Sequence, residues 1–489
     1  MSTWSKILGG LLVLIAAAVV SMGLMLKNVD TAQFKAPLER MVERATGRDF
    51  ILGGDLDLVL SLNPKLSVTN VQLANAPWGT QANMMKLQRL DAEIDVLALL
   101  SRRLDVTYII LDGVELYLET DGKGLANWEF TPQTEQAASG QAQAKQKLAL
   151  NPNVQDVHLQ NVKVHYLDGA TGLSLEAELS HANFTADSLD SQMKGILEAT
   201  VNGVEMQASA EMGSFAHIVG TEGGDFPLNL KISGPDITAD LVAMVKHPGR
   251  GVYIDARVDA EISNEGVLGK LIGVNLPPVS PIVVRSKIDV AGTRITLNGL
   301  DAELGDNDVQ GIVSIQLGKI RPKVIADLRS QTLNVNTLAG LSSSTNSSSL
   351  KSPVFSNTQI SLDGLGVVDA ELVLEADKIR YDDMVFTDVK TKASLADKTL
   401  TIKPLSFEFQ RGRINAQAHV NGAGQQPDYS LRGTVRGLNA TALAALTGQR
   451  ELVDLNLDGD VLFISKGQSL QDLAKGARGH VNLIGRDGR

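Results

Sequence analysis

Few of the side chains that could do chemistry stand where chemistry would need them. Ser348-Ser349-Leu350-Lys351 has the Ser-x-x-Lys spacing in which a lysine amine activates a serine hydroxyl, but it sits in a run of serines where the match arises by chance. Asp306-Asn307-Asp308-Val309-Gln310-Gly311 opens like a calcium loop. Its twelfth position, where a bidentate glutamate must close the shell, is Leu317. Of the seven histidines only His158 and His165 come close, and their odd spacing in a strand-like run turns them to opposite faces. Gly364-Leu365-Gly366 lacks the third glycine and the acidic partner of a dinucleotide loop and reads as a turn. The sequence contains no GxxxxGK[ST], HExxH or GxSxG. With no cysteine, disulfides, thiolate chemistry and cysteine zinc sites are excluded together. The expectation is a protein that is not an enzyme, with no cofactor and no metal.

What the chain has in quantity is aliphatic surface. Its 489 residues are 43% hydrophobic and only 4% aromatic, so apolar surfaces must be built from Leu, Val, Ile and Ala. Such a lining is unspecific, which suits acyl chains better than a shaped ligand. Lys+Arg 45 against Asp+Glu 56 gives a net charge of −11, without the basic footprint that nucleic acid requires.

The elements that would position this surface begin with Ile7–Leu26, twenty uncharged residues. At 1.5 Å per residue they match the ~30 Å hydrocarbon core of a bilayer. The exit Met25-Leu26-Lys27 lacks a small-x-small cleavage site, so an uncleaved anchor is expected, with a single pass through the inner membrane and the body in the periplasm. Asp30 to Gly47 reads as a helix with Phe34, Leu38, Met41/Val42 and Ala45 on one stripe and Gly47 as its C-cap. From Arg48 the period changes to two. In Leu104–Leu118 the even positions Leu104, Val106, Tyr108, Ile110, Val114, Leu116 and Leu118 are apolar, with Asp112-Gly113 as a tight turn. Val385–Leu395, Leu400–Phe409 and Ile414–Val420 alternate likewise. Short helices are expected at Val96–Arg103, Ala440–Leu446 and Leu470–Ala477. Thr131–Lys147 and Ser342–Ser352 read as linkers.

The expected organisation is an anchor (1–29), an N-terminal β region with an amphipathic helix (30–130), a linker (131–147), a middle β region (148–341), a Ser-rich linker (342–352) and a C-terminal region (353–489). The fold class is mainly β: an N-terminal transmembrane helix, then a long, curved, mostly antiparallel β-sheet groove with short helices. Candidate groove-lining residues are Leu104, Val106, Tyr108, Ile110, Leu116, Val385, Val389, Leu395 and Ile414. Such a stripe lines a groove only where no second sheet covers it; otherwise it is a sandwich core. Trp78 and Trp128 are read as plugs of a sheet end rather than interfacial anchors.

Ala45–Thr80 (ATGRDFILGGDLDLVLSLNPKLSVTNVQLANAPWGT) and Asp121–Phe130 (DGKGLANWEF) resemble the N-terminal region of the AsmA family of Gram-negative envelope proteins. Gly366–Gly422 and Tyr429–Leu446 resemble that family's C-terminal repeat. The matching residues are Gly47, Arg48, Pro64, Asn75, Pro77, Trp78, Asn127 and Trp128, specific as a set and weak singly. The resemblance implies an inner-membrane anchor and a periplasmic β-groove, similar to bridge-like lipid-transfer proteins, that carries phospholipid and supports outer-membrane lipid homeostasis. Partners would be the inner membrane, phospholipid and envelope proteins at the distal end. The alternative is a scaffold for outer-membrane proteins that offers exposed sheet edges to client strands. Gly485–Arg489 falls within a strand-turn pattern that family members continue, as expected of a fragment.

Overall fold

The computed structural model describes residues 32–59, 65–94, 106–130, 154–169, 172, 174–219, 224–246, 253–273, 276–317, 321–338, 360–424, 426–440 and 455–486. These are mainly β, with 23 strands, mostly antiparallel, and few helices. None of the described helices is long and apolar enough to cross a membrane, and Ile7–Leu26 lies outside the described residues. Leu104, Pro64, the helix expected at Val96–Arg103, most of Ala440–Leu446 and both linkers also lie outside them.

The chain forms two units, residues 1–260 with 266–275 and residues 261–265 with 276–489. The first holds helix α1 (Ala32–Thr46) and strands β1 (Phe50–Leu52), β2 (Leu56–Val59), β3 (Lys65–Ala74), β4 (Asn83–Ile94), β5 (Val106–Thr120), β6 (Asp156–Asp168), β7 (Ser174–Thr185), β8 (Gln192–Val201) and β9 (Val204–Ser214). Helix α2 (Phe215–Val219), β10 (Phe226–Gly234), β11 (Ile237–Val245), β12 (Tyr253–Ile262) and α3 (Glu265–Ile272) follow. Gly47, with φ 70°, ends α1 as expected, its N–H bonded to the Glu43 carbonyl at 2.7 Å.

The second unit is β13 (Ile282–Ala291), β14 (Arg294–Leu304), β15 (Asn307–Gln316), β16 (Lys323–Asn334), α4 (Val335–Leu338), β17 (Asp369–Tyr381), β18 (Met384–Ala396), β19 (Thr399–Phe409), β20 (Gly412–Asn421), β21 (Asp428–Asn439), β22 (Asn456–Lys466), α5 (Leu470–Gly476) and β23 (Arg478–Arg486). Ser469 caps α5 by accepting from the Asp472 N–H at 3.1 Å.

Two-residue hairpins keep neighbours adjacent. Asn202-Gly203, Asp397-Lys398 and Gln410-Arg411 all have positive φ, the conformation that matches a right-handed strand twist. Among the described pairings each unit has one parallel pair, β5–β6 and β16–β17. Parallel neighbours need a long crossover, and residues 121–155 and 335–368 supply the two. The alanine- and serine-rich segments fall within these crossovers, between strands that pair side by side.

Asp112-Gly113 is not a turn. β5 runs straight through it, with Gly113 at φ 68°. Register places Asn70 of β3 (φ 52°), Gln88 of β4, Gly113 of β5 and Asn161 of β6 (φ 52°) on one line across the sheet, and β7 carries a register shift at Ser180 on the same line. A left-handed or bulged residue breaks the period of two, so the next inward residue comes three positions on rather than two. Inward residues are therefore Leu66, Val68, then Val71, Leu73 in β3, and Leu111, then Val114, Leu116 in β5. Gly299, Asp388 and Gly437 (φ 59°, 46° and 67°) sit within β14, β18 and β21.

An added Cβ at Gly113 would stand 2.4 Å from Gln88 Cδ in a backbone conformation that side chains resist. Gly113→Ala should lower the urea-unfolding stability of the first unit by about 1–3 kcal/mol. In addition, a cysteine at Ile110 should react with a water-soluble maleimide many times faster than one at Ile109, which the even-numbered stripe does not allow.

Candidate functional site: an open apolar sheet face

With the bulges in place, each unit carries an unbroken apolar row across its strands. In the first unit, register links Leu56, Val68, Leu90, Leu111 and Leu159 from β2 to β6. It continues through Ala182, Leu197, Ala208, Ile232 and Ala239 from β7 to β11. In the second, Ile288, Leu297, Val313, Ala326 and Leu372 run from β13 to β17. Ala393, Ile402, Ala418, Leu431 and Phe463 extend that row to β22. Flanking rows are apolar too, as in Leu395, Leu400, Val420 and Tyr429.

No second sheet covers these rows among the described residues. Extensive contacts join only hydrogen-bonded neighbours, or a short helix and a strand. Where the first unit begins, Val42 of α1, Trp128, Phe130 and Val154 pack on the face and bury it. Further along, Leu197, Ile232, Leu372, Ile402 and Phe463 are only half-buried, and Leu431 is 38% exposed. A sandwich core would have sealed them. The opposite face is charged: Lys86, Glu115, Lys163 and Glu178 form one cross-strand row, with Lys86–Glu115 at 3.5 Å and Lys163–Glu178 at 2.7 Å. Exposed pairs of this kind contribute little to stability. The hydrogen bond to Glu178 raises the Lys163 ammonium pKa above its ordinary value.

The bulges also redistribute the candidate lining residues. Val106, Leu116, Val389, Leu395 and Ile414 lie on the apolar face, with Val106 and Val389 buried. Tyr108 and Ile110 instead lie opposite Glu93 and Asp91 on the polar face, and Val385, opposite Arg380, is exposed there too. The reason is the same in β5 and β18: the alternation shifts phase at Gly113 and at Asp388, and β5 has a further register shift between Val106 and Tyr108, so no single parity spans the strand. The shift at Asn161 likewise places His158 and His165 on the same polar face rather than on opposite ones. His158 pairs with Asp156 at 2.8 Å and packs on Tyr108; His165 stacks on Tyr117 at 4.7 Å and lies 3.6 Å from Glu176. The Asp308 carboxylate accepts from the Gln331 and Thr332 N–H groups at 2.8 and 2.7 Å, tying β15 to β16.

Of the residues that suggested a family, Gly47, Arg48, Asn75, Pro77, Trp78, Asn127 and Trp128 converge at one end of the first unit. Asn127 donates from Nδ2 to Asn75 Oδ1 at 2.8 Å and to the Tyr117 carbonyl at 2.7 Å, while its Oδ1 accepts from the Glu119 N–H at 3.0 Å. Asn75 Nδ2 donates to Glu119 Oε1 at 3.1 Å, and Thr80 N–H to Glu119 Oε2 at 2.7 Å. Asn75, Glu119 and Asn127 are all buried. Arg48 donates to the Asn127 carbonyl at 3.2 Å and lies over Phe130, and burial pulls its pKa below the ordinary value. This lock ties the end of α1 to the ends of β3 and β5. Sequence reasoning missed Glu119, whose only signal was a carboxylate closing an apolar strand. Trp128 packs into the core as expected, against Tyr166, but Trp78, in the turn between β3 and β4, does not: it is 36% exposed.

An open sheet with one apolar face, locked at its N-terminal end by an Arg-Asn-Asn-Glu cluster, defines a class of open-sheet β protein. The chain belongs to the AsmA family: that family's model matches residues 2–223 and 179–489. It is similar to the AsmA family protein YhjG of Escherichia coli (strain K12), 22% identical over 99% of this chain and 77% of the relative. It is also similar to Protein AsmA of the same organism, 20% identical over 86% of this chain and 64% of the relative. No solved structure matches the chain.

Asn127→Ala removes three hydrogen bonds and leaves the Glu119 N–H without its acceptor in a buried site. It should lower the stability of the first unit by about 2–4 kcal/mol, read from its urea midpoint.

Proposed function

We propose that this protein holds acyl chains of phospholipid along its open apolar faces and passes them along by lateral movement. In this reading it is not an enzyme and acts from an inner-membrane anchor within the periplasm, in support of outer-membrane lipid homeostasis. The observation that carries it is the pair of ten-strand apolar rows which, beyond the packed start of the first unit, stay half-exposed with no covering layer among the described residues. Each methylene moved from water onto such a surface gains about 0.8 kcal/mol when fully covered, so an acyl chain gains several kcal/mol without a shaped pocket. Membership of the AsmA family and the 20-residue apolar stretch Ile7–Leu26 support the anchored location.

A second reading, a scaffold that pairs with client strands, draws support from β23. Every residue of that strand is exposed, and it pairs only with β22 among the described strands.

Val106 and Val389 are buried, so a carboxylate at either should unfold its unit rather than report on lipid. Leu395 and Ile414 are half-buried on the same face and are the better probes. Leu395→Asp and Ile414→Asp should each cost no more than about 2 kcal/mol, because water reaches the new charge. Both should lose most of the phospholipid that co-purifies with the wild type, measured by mass spectrometry of the extracted lipid. Full lipid retention in both stable variants would overturn the carrier reading in favour of the scaffold.

A further inference from the structure

We propose that the turn tip bearing Trp78 and Leu125 is a contact with the lipid bilayer. Trp78 lies in the turn between β3 and β4, and Leu125 in the turn after β5; they are 36% and 47% exposed. Turns usually carry polar residues, and an apolar side chain on a soft turn can fold back onto the protein. Neither turn is soft. The first is pinned by the Asn75 and Thr80 bonds to Glu119, and a Cβ at Gly79 would stand 2.3 Å from Asn75 Nδ2. The second is built on Asp121, whose Oδ1 accepts from the Lys123 and Leu125 N–H groups, both at 2.8 Å. Those bonds, with the Lys123 charge beside them, hold the Asp121 carboxyl below its ordinary pKa, and Lys123 is exposed at the tip. A buried polar lock thus holds a tryptophan, a leucine and a lysine out from the sheet end.

The chemistry of that trio fits the headgroup–acyl boundary. An indole has an apolar body and one N–H donor and prefers that depth, a leucine reaches the acyl region, and an ammonium meets lipid phosphate. Two apolar side chains are far too few for a stable protein interface, which buries roughly 1,200 Å² or more. They suffice for a bilayer when the chain is already tethered to it, because the second contact is then intramolecular. The tether is short. Arg48 fastens the lock to the end of α1, whose 15 residues span about 22 Å. Five residues, which reach at most roughly 20 Å, separate the start of α1 from Leu26. The proposal rests on the reading of Ile7–Leu26 as a membrane anchor.

The test uses the full chain with Trp4→Phe and Trp128→Phe, leaving Trp78 as its sole tryptophan. It is reconstituted into vesicles of phosphatidylethanolamine with phosphatidylglycerol as the minor component. Lipids brominated near the ester end of the acyl chain should quench Trp78 emission by at least half, and aqueous iodide should quench it severalfold less than in detergent-free protein lacking residues 1–29. Leu125→Asp should abolish the lipid quenching while the protein still floats with the vesicles. Flotation without lipid quenching overturns the tip contact alone, and so does shielding from both quenchers, which would mark a protein neighbour. Failure to float overturns the anchor and this proposal with it. If Trp128→Phe lowers the melting temperature, the same quenching is read as the difference between Trp4→Phe and Trp4→Phe/Trp78→Phe in the Trp128 background.

Discussion

A β-strand alternates its side chains with a period of two, and this protein depends on keeping that alternation in phase across ten neighbours at once. In a sandwich, a phase error on one strand would bury a charge under the facing layer. Here no facing layer covers most of the face among the described residues, so an error would instead break the apolar row with a charge that water can reach. The line through Asn70, Gln88, Gly113, Asn161 and Ser180 is how the first unit meets the constraint: all five strands shift phase at the same level, and the apolar face continues on both sides of it.

The strands themselves were legible, because alternation over 10 to 13 residues in β17 to β20 leaves little room for helix. The phase shifts were not, because counting parity assumes that the period never breaks. A signal was nonetheless there. Val68-Thr69-Asn70-Val71, Leu87-Gln88-Arg89-Leu90, Leu111-Asp112-Gly113-Val114, Leu159-Gln160-Asn161-Val162 and Leu179-Ser180-His181-Ala182 all read apolar-polar-polar-apolar. Taken singly, Asp112-Gly113 looks like a hairpin turn. Five such interruptions in strand-like text point instead to aligned bulges.

The candidate site divides in the same way. Arg48, Asn75, Asn127 and Trp128 could be grouped from the sequence, and the fold brings them together. Glu119, which closes their network, could not, since nothing local distinguishes it from the outward-facing carboxylate of Glu115. Trp78 and Trp128 sit in similar turn-rich text, yet one is packed and the other projects.

The two-residue hairpins have a consequence for how such a protein can vary. A hairpin such as Asn202-Gly203 returns the chain directly beside the strand it left, with the side chains of both strands already in register. Inserting or deleting one complete strand pair at such a turn would restore direction and parity on both sides, adding or removing about 9.6 Å of sheet width. Neither the lock at one end nor any row elsewhere would have to be redesigned. Width in this architecture is therefore a modular quantity, open to change in whole steps, whereas the sequence within each step is constrained by its neighbours.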